Sequence, residues 1–167
     1  AFQQQHNFSA RGGNESVSFF TSIGYLEDNG LLKSNDLGYK KYNFRSNLTA
    51  QLTKNLKADI QMSGRYDKKE QPGESIFMIF KATRTGDPTA RPYANNNPDY
   101  PSMLMPSNQN PVAMAERDIS GYNENVNKNF QSTLALTYDV PFVDGLVLTG
   151  RYSYDSNNYM GKGLGKS

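Results

Sequence analysis

The residues able to do chemistry are few, and their spacing decides little. His6 is the only histidine in 167 residues, and there is no cysteine. A thiolate or multi-histidine metal centre is excluded, and a Ser-His-Asp triad would have to rest on His6 alone. His6 reads better as a polar strand residue near a turn. GKGLGKS at 161–167 invites a phosphate-loop reading, but that pattern needs glycine where Met160 stands. It reads as a flexible tail or external loop. NFS, NES and NLT match the glycosylation pattern, yet Asn, Ser and Thr are so common that chance suffices. Carboxylates are numerous enough to form a glycosidase pair. Asp59, Asp67, Asp139 and Asp155 read more simply as partners of Arg45, Arg65 and Arg151 on neighbouring strands. The expectation is no enzyme, no metal and no cofactor.

Composition narrows the class. The net charge is +2, with no block of like charge, so nothing points to nucleic acid. Hydrophobic residues make up 36% of the chain, below the usual ~45–50%. Aromatics make up 12%, which disordered chains lack. Such a balance suits a β protein that wets one face of each strand.

The elements that must position these groups are strands. In YNFRSNLTAQL (42–52), Tyr42, Phe44, Leu48, Ala50 and Leu52 share one parity, and Asn43, Arg45, Asn47, Thr49 and Gln51 the other. Six strands are expected, over 3–10, 16–26, 42–52, 56–66, 129–140 and 146–155. In the last four, every charge lies on the polar parity, among them Arg45, Asp59, Arg65, Asp139 and Arg151. The connections run short, long, short, long, short. GGNE, TKN and PFVDG are tight turns, whereas 27–41 and 68–128 are long. Tight turns therefore gather at one end of an up-and-down sheet, and Tyr25, Tyr42, Phe44, Tyr66, Phe130, Tyr152 and Tyr154 lie toward the other. That order matches the interfacial girdle and loop asymmetry of outer-membrane barrels.

The longer connection has structure of its own. ESIFMIFKATRTG (74–86) predicts a short helix, with Ser75 as N-cap and Gly86 at its end. A Pro- and Asn-rich coil follows. Arg84, Arg91, Tyr93, Asn95, Asn96, Asn97 and Tyr100 are the candidate ligand contacts, because aromatic faces and planar amides suit sugars or peptides in water.

Several stretches together resemble a known family. HN before a strand, GGNE, SIGYLEDNG, YNFRSNL, NLK, ATRTGDPTARPY, NPVA, SGY and LTGRYSYD are similar to the barrel of starch-utilisation-type outer-membrane transporters (SusC/RagA type) of Bacteroidetes. The resemblance implies a TonB-dependent importer of oligosaccharides or peptides with a plug inside a barrel of about 22 strands. It implies outer-membrane lipid around that barrel, the TonB complex as energy source and a SusD-type surface lipoprotein as partner. The chain has no plug, TonB box or signal peptide, so the expectation is an internal barrel segment over residues 1–167. Arg45, Asp59, Arg65, Asp139 and Arg151 would face its lumen, and 68–128 would form an external loop.

The expected fold is thus all-β: antiparallel up-and-down strands forming part of a large transmembrane barrel, with long external loops and one short loop helix. The competing expectation is a soluble β-sandwich carbohydrate-binding module with its apolar parities packed face to face. A barrel enzyme acting on lipid or peptide is a third class, weakened by the lone histidine.

Overall fold

A computed structural model describes residues 2–102 and 109–165. Residues 103–108 of the Pro- and Asn-rich coil, and Lys166 and Ser167 of GKGLGKS, lie outside them. The chain forms one antiparallel sheet in the order β1-β2-β3-β4-β5-β6. Its strands are β1 (Gln3–Gly13), β2 (Val17–Asp28), β3 (Gly38–Thr53), β4 (Leu56–Pro72), β5 (Gly121–Asp139) and β6 (Val147–Gly165). Between β4 and β5 lie α1 (Ile76–Thr85), a 3-10 turn at Ala94–Asn96, α2 (Pro111–Ala115) and α3 (Arg117–Ser120).

Local chemistry explains the joints. Asn14 Oδ1 accepts from the backbone N–H groups of Ser16 and Val17 at 2.9 and 2.8 Å, closing the β1–β2 turn. At β3–β4 the register slips between Gln51 and Thr53, so that Thr53 pairs with Leu56 across a two-residue turn. Helix α1 starts where Ser75 Oγ accepts from Met78 N, and Gly86 N–H closes on Ala82 O.

The strands outrun the expected boundaries at the long-connection end. Register carries Gly38↔Glu70, Pro72↔Tyr122 and Gly121↔Gly165 into the ladder although those residues do not alternate in polarity. Backbone pairing satisfies such residues whatever their side chains, and polarity patterning cannot see that. GKGLGKS is corrected on the same ground: Gly161–Gly165 pairs with β5 and is neither tail nor loop.

Aromatics cross the sheet as a ladder. Tyr25, Tyr42 and Tyr66 follow one another with ring centroids 4.9 and 6.0 Å apart. Phe44 leans over Gly64 toward Phe130, 6.3 Å away, and Phe130 meets Tyr154 at 6.4 Å. Cross-strand aromatic contact stabilises a sheet by itself, and six of the seven rings read as a membrane girdle make such contacts.

The barrel expectation is overturned by the topology. β1 and β6 are edges that do not pair with each other, so the sheet is open. With the barrel fall the inferences drawn from it: SusC/RagA-type import, outer-membrane location, lipid contact, the TonB complex and the SusD-type partner. Among the described residues no helix is long and apolar enough to cross a membrane. The sandwich geometry is corrected as well, since the described strands make one sheet and not two. Its apolar face is open: Leu134 is 39% and Leu148 54% exposed. Close packing is concentrated instead at a few points, notably Ile79 and Ala82 of α1 and the fully buried Pro72 at the end of β4.

Candidate functional site

The opposite face of the sheet carries a polar lattice. Alternation sends Asn47, Gln61, Thr133 and Ser153 to that face, and register aligns them. Arg11↔Phe20, Phe20↔Asn47, Asn47↔Gln61, Gln61↔Thr133 and Thr133↔Ser153 form one row across all six strands. The row on one side reads Ser9, Ser22, Arg45, Ser63, Gln131 and Asp155. On the other side stand Gly13, Ser18, Thr49, Asp59, Ala135 and Arg151.

Three depressions lie along the central row. One of about 420 Å³ is walled by Arg11, Gly12, Ser18, Phe19, Phe20, Asn47 and Thr49. A second of about 350 Å³ takes Arg45, Asn47, Gln61, Ser63, Gln131 and Thr133. A third of about 430 Å³ takes Asp59, Gln61, Thr133, Arg151 and Ser153. Neighbouring depressions share walls, Asn47 between the first two and Gln61 with Thr133 between the last two. Together they make one shallow groove across the strands, rich in amides and hydroxyls.

The electrostatics of this face are local. Thr49 Oγ1 donates to Asp59 Oδ1 at 2.5 Å, and Lys57 Nζ stands 3.4 Å from Asp59 Oδ2. The threonine bond first, then the lysine, holds the Asp59 carboxyl below its ordinary range. Arg65 pairs with Asp67 on its own strand. The expected arginine–carboxylate pairs between neighbouring strands do not form. Register sets Arg45 opposite Ser22 and Ser63, and Arg151 opposite Ala135, and among the described residues neither has an ion pair.

Arg45, Asp59, Arg65, Asp139 and Arg151, read as lumen-facing, do share one face. Arg45, Asp59 and Arg151 line the groove. Arg65 lies beside it, and Asp139 sits at the tight-turn end, opposite Val147. The loop candidates gather elsewhere. Tyr93 bridges to Pro101, and Ala94 N–H donates to Tyr100 O at 2.8 Å, making a small hairpin. At its tip Asn95 and Asn96 adopt left-handed backbone, and Asn97 Oδ1 accepts from Asp99 N at 3.0 Å. The Tyr93 hydroxyl donates to Glu116 Oε1 at 2.9 Å. Tyr93 also walls an apolar cavity of about 510 Å³ with Leu32, Ile79 and Val112. Tyr100 is exposed, and so are Arg84 at the end of α1 and Arg91 ahead of the hairpin. His6 lies on β1 against Tyr25, its Nε2 3.5 Å from Gln4 Oε1. Among the described residues no three His, Asp or Glu side chains converge as a metal site.

Phe20, Asn47, Gln61, Gln131, Thr133 and Ser153 were not singled out from the sequence. A signal existed for one of them. Phe20 stands opposite Phe19 and Ile23, between Ser18 and Ser22 on the face that also holds Leu26. The others alternate correctly but are aligned only by register.

A pH dependence follows from the carboxylates. Asp59 is lowered by Thr49, Glu27 by Tyr25, and Glu124 by Lys68. A carboxyl lowered in the fold contributes stability above its unfolded pKa, and that contribution is lost as pH falls through the folded value. Urea midpoints should therefore fall on acidification through and below the ordinary carboxylate range. Asp59→Asn should flatten that fall, and an unchanged slope would show that Thr49 does not stabilise the charged form.

Comparison with known proteins places these features among distant relatives. No family model matches the chain. It is 38% identical to TonB-dependent receptor P26 of Formosa agariphila over 58 residues, 35% of this chain and 6% of that protein. It is 24% identical to TonB-dependent receptor P39 of the same organism over 165 residues, 93% of this chain and 14% of that protein. The chain therefore spans a small fraction of the curated relatives it matches, and the similarity is weak and partial.

Proposed function

We propose that the chain acts as a non-catalytic binding unit for carbohydrate, using the polar face of its open sheet. The single observation behind this reading is the groove of linked depressions walled by Asn47, Gln61, Gln131, Ser63, Thr133 and Ser153. Amides and hydroxyls both donate and accept, as a polyhydroxylated ligand requires, and they do so with little net charge. A peptide strand would draw on backbone N–H and C=O groups, and within the interior strands those are spent on the ladder. Catalysis finds little support, since the one histidine lies on the other parity and each groove carboxylate can serve as an acceptor without a partner acid. The loop hairpin with Tyr93 and Tyr100 is a secondary contact region in this reading, and Arg84, Arg91, Asn95, Asn96 and Asn97 lie on the same connection.

Affinity electrophoresis of the chain through gels cast with neutral and acidic polysaccharides tests the proposal. Retardation by at least one polysaccharide, weakened by Gln61→Ala with Gln131→Ala, is the expected result. Equal mobility in every gel would refute it, and so would release of reducing sugar.

A further inference from the structure

We infer that the groove holds an extended linear glycan laid across the strands, with Phe20 as the platform on which one terminal sugar stacks. This rests on the carbohydrate reading above and specifies its ligand as a chain, not a single sugar. Three observations lead to it.

The groove has the direction of a polymer site. Its three depressions follow one register row, so its long axis runs perpendicular to the strands. From Phe20 on β2 to Ser153 on β6 the row crosses four strand intervals, a span of roughly 19 Å at ~4.8 Å each. A monosaccharide could fill one depression and would leave two empty.

The groove also has the repeat of a polymer site. An extended chain of pyranoses advances per unit by about one inter-strand spacing, ~5 Å. Successive sugars therefore meet successive side chains of the row: Asn47, Gln61, Thr133 and Ser153. Thr133 Oγ1 and Ser153 Oγ lie 3.1 Å apart, so two adjacent rungs already share a hydrogen bond that a sugar hydroxyl can join. A chain that coils cannot keep this repeat over four rungs.

Finally, the groove is polar along its length except at one end. Phe20 is the one aromatic residue in the three rows. It is half-buried and lines the first depression with Arg11, Asn47 and, from the neighbouring position, Phe19. A half-buried ring on the polar face leaves apolar area in water, and an aromatic face suits the C–H face of a pyranose. The asymmetry sets the chain's register in the groove.

The test is calorimetric titration of the full chain with linear glucans, mannans, xylans and galactans of one to six units. For the series that binds, affinity should rise with length to about four units and then level off, with the tetramer at least about tenfold tighter than the monomer. Phe20→Ala should weaken the tetramer about tenfold, and Phe20→Tyr should restore it. Circular dichroism would show whether either variant alters the sheet. As a second route, Asn47→Ala should lower the length at which affinity levels off. Equal affinity for monomer and tetramer, or tetramer binding unaffected by Phe20→Ala, overturns the inference and leaves the carbohydrate reading standing. Absence of binding at every length in every series overturns the inference, and equal mobility in every polysaccharide gel as well overturns both.

Discussion

Gly121→Ala should destabilise the protein by about 3 kcal/mol, more than any other single methyl group added to the sheet. Gly121 is buried, begins β5, and has φ 88° and ψ −161°, a region that only glycine occupies readily. A Cβ there would also point into the Leu164 backbone carbonyl of β6. A side chain can rotate away from such a contact, whereas a paired backbone can move only by breaking the ladder. The position is doubly constrained, because Gly73 N–H donates to Gly121 O at 2.9 Å, and a Cβ on Gly73 would meet the Ser120 carbonyl. The long connection leaves β4 and enters β5 through these two glycines, packed backbone to backbone. Urea unfolding would measure the loss. Gly150→Ala in β6 is the control, since its Cβ would meet nothing within 4 Å. The control should be neutral or slightly stabilising, and equal losses in both variants would show that the Gly121 geometry is not what matters.

The second large effect should be local. Asn110 is 6% exposed and ties three pieces of the long connection together. Its Nδ2 donates to Pro92 O at 2.7 Å and to Ser102 O at 3.2 Å. Its Oδ1 accepts from Val112 N and Ala113 N at 3.0 and 3.4 Å, capping α2. Asn110→Ala removes the cap, about 1 kcal/mol, and withdraws buried donors at a comparable cost, about 1 kcal/mol. Hydrogen exchange should accelerate at Val112, Ala113 and Ala94, the last because its N–H is held by the hairpin beside Pro92. Exchange in β3 and β4 should not change. Asn110→Asp keeps the cap oxygens and loses the donors, so it should protect Val112 and Ala113 but not the hairpin. A uniform rise across the sheet after Asn110→Ala would show that the connection and sheet unfold as one unit, contrary to this expectation.

Much of the fold was legible in the residues. Parity identified the strands because a pleated chain sends neighbours to opposite faces, and Asn14, Ser75 and Gly86 mark turn and helix ends through bonds made within a few residues. The hairpin at 93–101 was only partly legible. Its asparagines and tyrosines were visible, but the pairing of Tyr93 with Pro101, and of Tyr93 with Glu116, joins residues that spacing does not relate. The resemblance of local stretches to barrel transporters went further than the chain supports, because closure depends on which strands pair at the edges, and no strand carries that in its own pattern.

Alternation by itself determined that one face of this sheet is apolar and the other polar, since that follows from backbone geometry at each residue. Only the tertiary structure decided that Phe20, Asn47, Gln61, Thr133 and Ser153 stand in one line, and that the sheet stays open. Both depend on hydrogen-bond register between strands far apart in the chain. A shift of one residue would have sent every one of those side chains to the other face.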